Sequence, residues 1–155
     1  MKHLFATLVW FVMASPSFAA ESTGGGIERA ALGDLVRVRV WSVHAIKSGA
    51  RMDEDLKRVA KHLKRLDYGS FDLLRKDGAG VPPKGTRKIE IAGGKTVRVT
   101  VIERNAERAR VRVRIGDGSS VVLDTTVAIR RNGFFIVAGP RHKGGILVLP
   151  IFARY

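Results

Sequence analysis

The sequence predicts an α+β fold: an antiparallel β-sheet or partly rolled sandwich of about seven strands, with one amphipathic helix packed on it. Three observations predict it. Apolar and charged residues alternate with period 2 over most of the chain, as in Val36-Arg37-Val38-Arg39-Val40 and Val97-Arg98-Val99-Thr100-Val101. A single stretch, Arg51 to Leu66, instead spaces its apolar residues three and four apart. Glycine-centred turns separate the alternating runs from Ala92 onward.

Asp34 to Ile46 reads as the first strand, with Val36, Val38 and Val40 inward and Arg37 and Arg39 outward. The alternation blurs at Trp41-Ser42-Val43, which predicts a bulge or burial of both faces. In the helix that follows, Met52, Leu56, Val59, Leu63 and Leu66 draw one stripe. Asp53, Glu54 and Asp55 occupy its first turn and Lys61, Lys64 and Arg65 its end, in keeping with the helix dipole. Leu56, Val59 and Leu63 are expected to face Val99, Val111 and Val113 across the sheet. Ser70 to Lys76 predicts a short strand, and Asp77 to Gly85, with Pro82-Pro83 and three glycines, a loop. Arg87 to Ile91 and Lys95 to Glu103 flank Ala92-Gly93-Gly94 as a hairpin. Arg108 to Ile115, Val121 to Ile129 and Phe134 to Ala138 continue the meander. Gly139 to Gly145 predicts a longer turn, and Ile146 to Phe152 a final strand, apolar on both faces and therefore central. Pro150 within it costs a ladder bond and predicts a bulge or an edge.

The chain has 155 residues and a formal charge of +14, with 28 Lys and Arg against 14 Asp and Glu. That length suits a single domain, expected over residues 34–155. Cysteine is absent, which excludes disulfides, Cys-zinc sites, a Cys nucleophile and a lipoprotein anchor. Residues 1–19 read as a signal peptide. Lys2 and His3 form a basic start, Leu4 to Ala14 an apolar run, and Ser17-Phe18-Ala19 places small residues where a signal peptidase reads them. The run is too short to span about 30 Å of hydrocarbon. Cleavage after Ala19 removes one lysine and no acid, and predicts a periplasmic or secreted protein with no membrane span. Residues 20–33, rich in Gly, Ser and Thr near their start, read as a flexible lead.

The candidate anion-binding residues are Arg108, Arg110, Arg112, Arg114, Arg141 and Lys143. The first four stand at period 2 on one face of a strand, about 6.6 to 7 Å apart. Guanidinium forks at that spacing suit phosphate, sulfate or carboxylate groups of a polyanion. Arg37, Arg39 and Arg98 have the same outward role on other strands. The alternative is a solvated face whose arginines pair with Glu90, Glu103 or Glu107. Arg141 and Lys143 flank His142 in the glycine-rich Gly139 to Gly145 segment, where a backbone can approach an anion closely. That segment is no P-loop, since neither Lys-Ser nor Lys-Thr follows its glycines. Lys57, Arg58, Lys61, Lys64 and Arg65 make a third basic surface, read as a solvated helix face.

No catalytic or metal site is expected. His44, His62 and His142 fall on a strand, a helix and a loop without metal-ligand spacing, and neither G-x-S-x-G nor H-E-x-x-H occurs. No cofactor is expected. Trp41 is the one Trp beyond the signal peptide, which leaves little for a stacking platform.

Tyr68-Gly69-Ser70-Phe71-Asp72-Leu73-Leu74, Val137-Ala138-Gly139-Pro140 and Gly144-Gly145-Ile146-Leu147 resemble stretches of small, uncharacterised exported proteins of bacterial envelopes. The final hairpin is also similar to the end of a secretin-type β-domain, though the rest of that signature is absent. Neither resemblance carries over a catalytic or binding residue. The expected function is a non-enzymatic envelope protein: a binding or assembly module for another envelope protein or for an anionic polymer such as lipopolysaccharide or peptidoglycan. The alternative is a secreted hydrolase or nuclease with an unrecognised site. Nucleic acid is an expected partner only outside the cell.

Overall fold

The structure is a computed structural model that describes residues 34–117 and 119–155. The expected signal peptide, 1–19, and lead, 20–33, lie outside the described residues. The elements run β1 (Val36–Ile46), a 3-10 turn (Glu54–Leu56), α1 (Ala60–Leu63), β2 (Ser70–Val81), β3 (Thr86–Glu90), a 3-10 turn (Ala92–Gly94), β4 (Thr96–Arg104), β5 (Arg108–Asp117), β6 (Ser120–Arg130), β7 (Phe134–His142) and β8 (Gly145–Arg154). These strands form two four-stranded antiparallel sheets, ordered β2-β1-β8-β7 and β3-β4-β5-β6. The β-rich class agrees with the sequence. The expected single sheet or sandwich under one amphipathic helix does not form.

The inward faces of both sheets meet in one core. β1 contributes Val36, Val38 and Val40, and β8 contributes Leu147, Leu149, Ile151 and Ala153. From the second sheet come Val97, Val99 and Val101 of β4 with Ala109, Val111, Val113 and Ile115 of β5. The period-2 pattern of β4 and β5 follows from this placement: every second side chain is buried and every other one meets solvent. β8 is interior to the first sheet and buried on both faces, as its unbroken apolar run predicts.

The first sheet has a second cluster on its other face. Val43 and Ala45 of β1, Phe71 of β2, and Val148 and Phe152 of β8 are covered there by Leu56, Val59 and Leu63. The Arg51 to Leu66 segment thus buries the stripe its spacing predicts, but against the first sheet's outer face rather than against Val99, Val111 and Val113. Nor is it one helix. Met52 bridges Phe71 in parallel, the Asp53 N–H donates to the Phe71 carbonyl, and the Phe71 N–H donates to the Arg51 carbonyl. The Asp53 carboxylate accepts from the N–H groups of Asp55 and Leu73. These bonds hold residues 51–53 against β2, so the helical part shrinks to one 3-10 turn and one four-residue α turn.

Two strands are longer than expected. β2 runs on through Gly78 and Gly80 to pair Val81 with Val36, where the sequence predicts a loop. β7 continues to His142, and a two-residue turn at Lys143-Gly144, both with positive φ, replaces the expected longer turn. The predicted irregularity at Trp41 to Val43 is present. Ser42 pairs with Arg75 and Val43 with Leu73, so Leu74 is the extra residue of a bulge on β2. Pro150 makes neither the bulge nor the edge expected of it: β8 is interior, and the β1–β8 ladder keeps its register from Val40↔Ile151 to Val43↔Val148, with Pro150, which has no N–H to donate, in the gap between them.

Candidate functional site

The outer face of the second sheet gathers charged side chains from all four of its strands. Burial of Ala109, Val111, Val113 and Ile115 turns Arg108, Arg110, Arg112 and Arg114 to the other side of β5. Three of them are exposed and Arg114 is half-buried. Strand register adds basic neighbours that no single segment reveals. Arg98 lies opposite Arg114, Lys88 opposite Arg98, and Arg130 opposite Arg108. A row Lys88–Arg98–Arg114 therefore crosses three strands, with side chains about 5 Å apart in directly opposed positions.

Three carboxylates share this face. Asp124 of β6 lies opposite Arg114 and holds two arginines: Arg112 Nε at 2.8 Å and a second Arg112 nitrogen at 2.7 Å, and Arg114 Nε at 2.9 Å. The Arg112 fork is bidentate, the geometry in which guanidinium and carboxylate match best. Its hydrogen bonds hold the Asp124 carboxyl below the usual carboxylate range, and the two guanidinium charges add to that. Asp124 in turn raises the Arg112 guanidinium. A bulge in β4 projects Ile102 and brings Glu103 opposite Arg110, 3.5 Å away. Glu90 stands at the β3 end and reaches toward Arg75 at 3.9 Å. Against these stand Lys88, Arg98, Arg108, Arg110, Arg112, Arg114 and Arg130. Among the described residues, Lys88, Arg98, Arg108 and Arg130 make no ion pair with a carboxylate.

Like charges directly opposite one another across a ladder are destabilising. The second sheet places two such pairings in the Lys88–Arg98–Arg114 row and a third at Arg108–Arg130. An anion bridging them would relieve that repulsion.

Arg141 and Lys143 are not part of this face. They stand on the β7–β8 hairpin of the other sheet, beside Lys47 and Tyr68. Because β7 is laddered to His142, the segment is not the open glycine loop that the sequence suggests. The hairpin is fastened from below. His44 Nε2 donates to the His142 carbonyl at 3.0 Å, and the two imidazoles meet edge to face at 5.3 Å. Burial, then the charges of His44, Lys143 and Lys95, push the His142 imidazole down toward its neutral form. Arg98 joins the four arginines of β5 as the sequence suggests, whereas Arg37 and Arg39 belong to the first sheet. Lys57, Arg58, Lys61, Lys64 and Arg65 are exposed along the helical segment.

Sequence reasoning missed Asp124 as the principal partner of the arginines, and Lys88 and Arg130 as members of the face. The alternation of β6 offers a signal, since Asp124, Thr126, Ala128 and Arg130 are its polar or small face. Only the register shows which arginines they meet. Among the described residues no three His, Cys, Asp or Glu side chains are placed to hold a metal ion. No family model matches the chain, and no curated protein or solved structure is detectably similar to it.

Proposed function

We propose that this chain is a binding module of the cell envelope, without a catalytic role, that holds an anionic polymer on the outer face of its second sheet. The observation that carries the reading is the set of opposed cations Lys88–Arg98–Arg114 and Arg108–Arg130, left by register without enough carboxylates to neutralise them. A merely solvated face would be expected to alternate charge across the ladder, as Arg110 and Glu103 do. Arginine favours a polymer whose anionic groups are phosphate, sulfate or carboxylate, because its fork pairs with each of them in bidentate fashion.

The test is the salt dependence of binding to lipopolysaccharide, with heparin as a defined polyanion. Each neutralised anionic group releases condensed counterion. An engagement of about four groups should make log affinity fall with log salt at a slope of roughly −3 or steeper. Weak binding that ignores salt would remove the polymer reading.

Asp124→Asn sharpens the test because its effect has the opposite sign to that of any damage. Losing the carboxylate releases Arg112 and Arg114, so affinity should rise several-fold and the slope should steepen by roughly 1 to 2. Acid should act in the same direction. The folded-state pKa of Asp124 is depressed, so the pairing holds above the ordinary carboxylate range and is lost as pH falls through the lowered value. Unchanged affinity and slope in the variant would return Arg112 and Arg114 to a structural role.

The envelope assignment rests on the reading of residues 1–19. Protein recovered from its native cells should begin near Ala20. N-terminal sequencing that finds Met1 on a cytoplasmic product would overturn the location and make nucleic acid the polymer to test.

A further inference from the structure

The first sheet carries a second cationic cluster, facing the opposite way. Arg37 and Arg39 lie on the face of β1 that turns from the core, alongside Trp41, Val43 and Ala45. The helical segment covers Val43 and Ala45 and leaves the Arg37 and Arg39 half open. Register puts Arg37 directly opposite Arg154 of β8 on one side and Gly80 of β2 on the other, with Arg39 between Phe152 and Gly78. The result is an open shelf of about 660 Å³ lined by Leu35, Arg37, Arg39, Trp41, Lys76, Asp77 and the glycines of β2, where Asp77 is paired with Arg75 and Lys76 with Asp55.

The glycines make the shelf possible. A Cβ on Gly78 would stand 2.7 Å from the Val38 carbonyl and 3.1 Å from Arg39 Cγ, and one on Gly80 would stand 3.1 Å from a Leu35 methyl. Without them the Arg39 stem could not lie across β2. Arg58 sits over the Phe152 ring at 5.0 Å and adds a cation at the rim. Among the described residues Arg37, Arg39, Arg58 and Arg154 make no ion pair with a carboxylate. The Arg37–Arg154 pairing repeats the opposed like charges of the second sheet.

We propose that this shelf is a second polyanion-binding site, so that the molecule links two polymer chains instead of coating one. The inference rests on the reading of the arginine face above and goes beyond it. The two clusters lie on the outer faces of sheets that share a core between them. Packed sheets stand about 10 Å apart, and the side chains of both outer faces point away from each other. A polymer lying along one face cannot touch the other without turning round the edge of the molecule.

Stoichiometry decides it. A short heparin oligosaccharide, titrated calorimetrically into the full chain, should fill two sites per protein, and long heparin should give salt-soluble assemblies in light scattering. Arg37→Gln with Arg39→Gln and Arg154→Gln should reduce the stoichiometry to one and abolish the assemblies, while binding at the second sheet persists. All three residues are exposed, so melting should be unchanged. Arg39→Glu alone, at the centre of the shelf, should reproduce the loss and serves if the triple variant melts early. One site in the wild type, with these variants behaving like it, would overturn the second site and leave the arginine face standing. No binding at all would remove both.

Discussion

Leu63→Asp should lower the melting temperature by roughly 10 °C or more. Leu63 is fully buried on α1, within the cluster of Val43, Phe71, Val148 and Phe152 on the outer face of the first sheet. None of the cluster's buried members is charged, and the aspartate would enter without a partner. An unpaired buried charge costs several kcal/mol, against a total stability of about 5–15 kcal/mol. For a chain of this size each kcal/mol moves the midpoint by about 2–4 °C. Leu63→Ala removes the same packing without adding charge, and should cost about 2–5 kcal/mol through the cavity left behind. The aspartate should exceed it. The neighbouring exposed Lys64 is the control, since Lys64→Asp changes charge on the same turn without entering the cluster. Thermal unfolding of the three variants decides the matter. A Leu63→Asp protein that melts with the wild type would show that the segment does not cover the sheet.

The stripe through Leu56, Val59 and Leu63 was legible in the sequence because burial requires only that three apolar side chains share a side. That demand is met by a 3-10 turn followed by an α turn as well as by a continuous helix, so the spacing could not separate them. What separates them is the bridge between residues 51–53 and Phe71, a contact made across the start of β2. Asp53 shows the point. The dipole argument places it in a helix's first turn, yet its carboxylate reaches forward to the Leu73 N–H and ties the segment to the sheet.

The sequence predicts too short a β2 for a related reason. Gly78 and Gly80 have little strand propensity, and the prolines after them signal a loop. The long ladder of β1 overrides that propensity, and the glycines are tolerated because Leu35 and Arg39 lie where side chains would otherwise project. The sequence predicts β4 and β5 well because each has one buried face and one solvated face, the condition under which period 2 is strongest. The four arginines of β5 were legible for the same reason. Their neighbours were not, because register is a tertiary quantity. Nothing local to Arg114 states that Arg98 stands opposite it on one side and Asp124 on the other.

Replacing Arg110, Arg112 and Arg114 together by Gln should weaken binding to heparin or lipopolysaccharide by one to two orders of magnitude at low salt. Three charges leave the face, but in the wild type Glu103 holds Arg110 and Asp124 holds Arg112 and Arg114, so the salt slope should become shallower by only about 1. The loss is reinforced from within the face. Asp124 and Glu103, now masked by the arginines, would remain as uncompensated carboxylates beside Arg98 and Arg108 and repel the polymer. Gln keeps β5 polar on its outer side and leaves Val111, Val113 and Ile115 untouched, so melting should shift by no more than a few degrees. The combined variant therefore separates binding from folding, and paired with Asp124→Asn it brackets the wild type from both sides. Binding of wild-type strength with the wild-type slope would show that these three arginines serve only their carboxylates. The polymer would then have to be held elsewhere: on the first sheet's Arg37–Arg39–Arg154 shelf, or beside Arg141 and Lys143 on the β7–β8 hairpin.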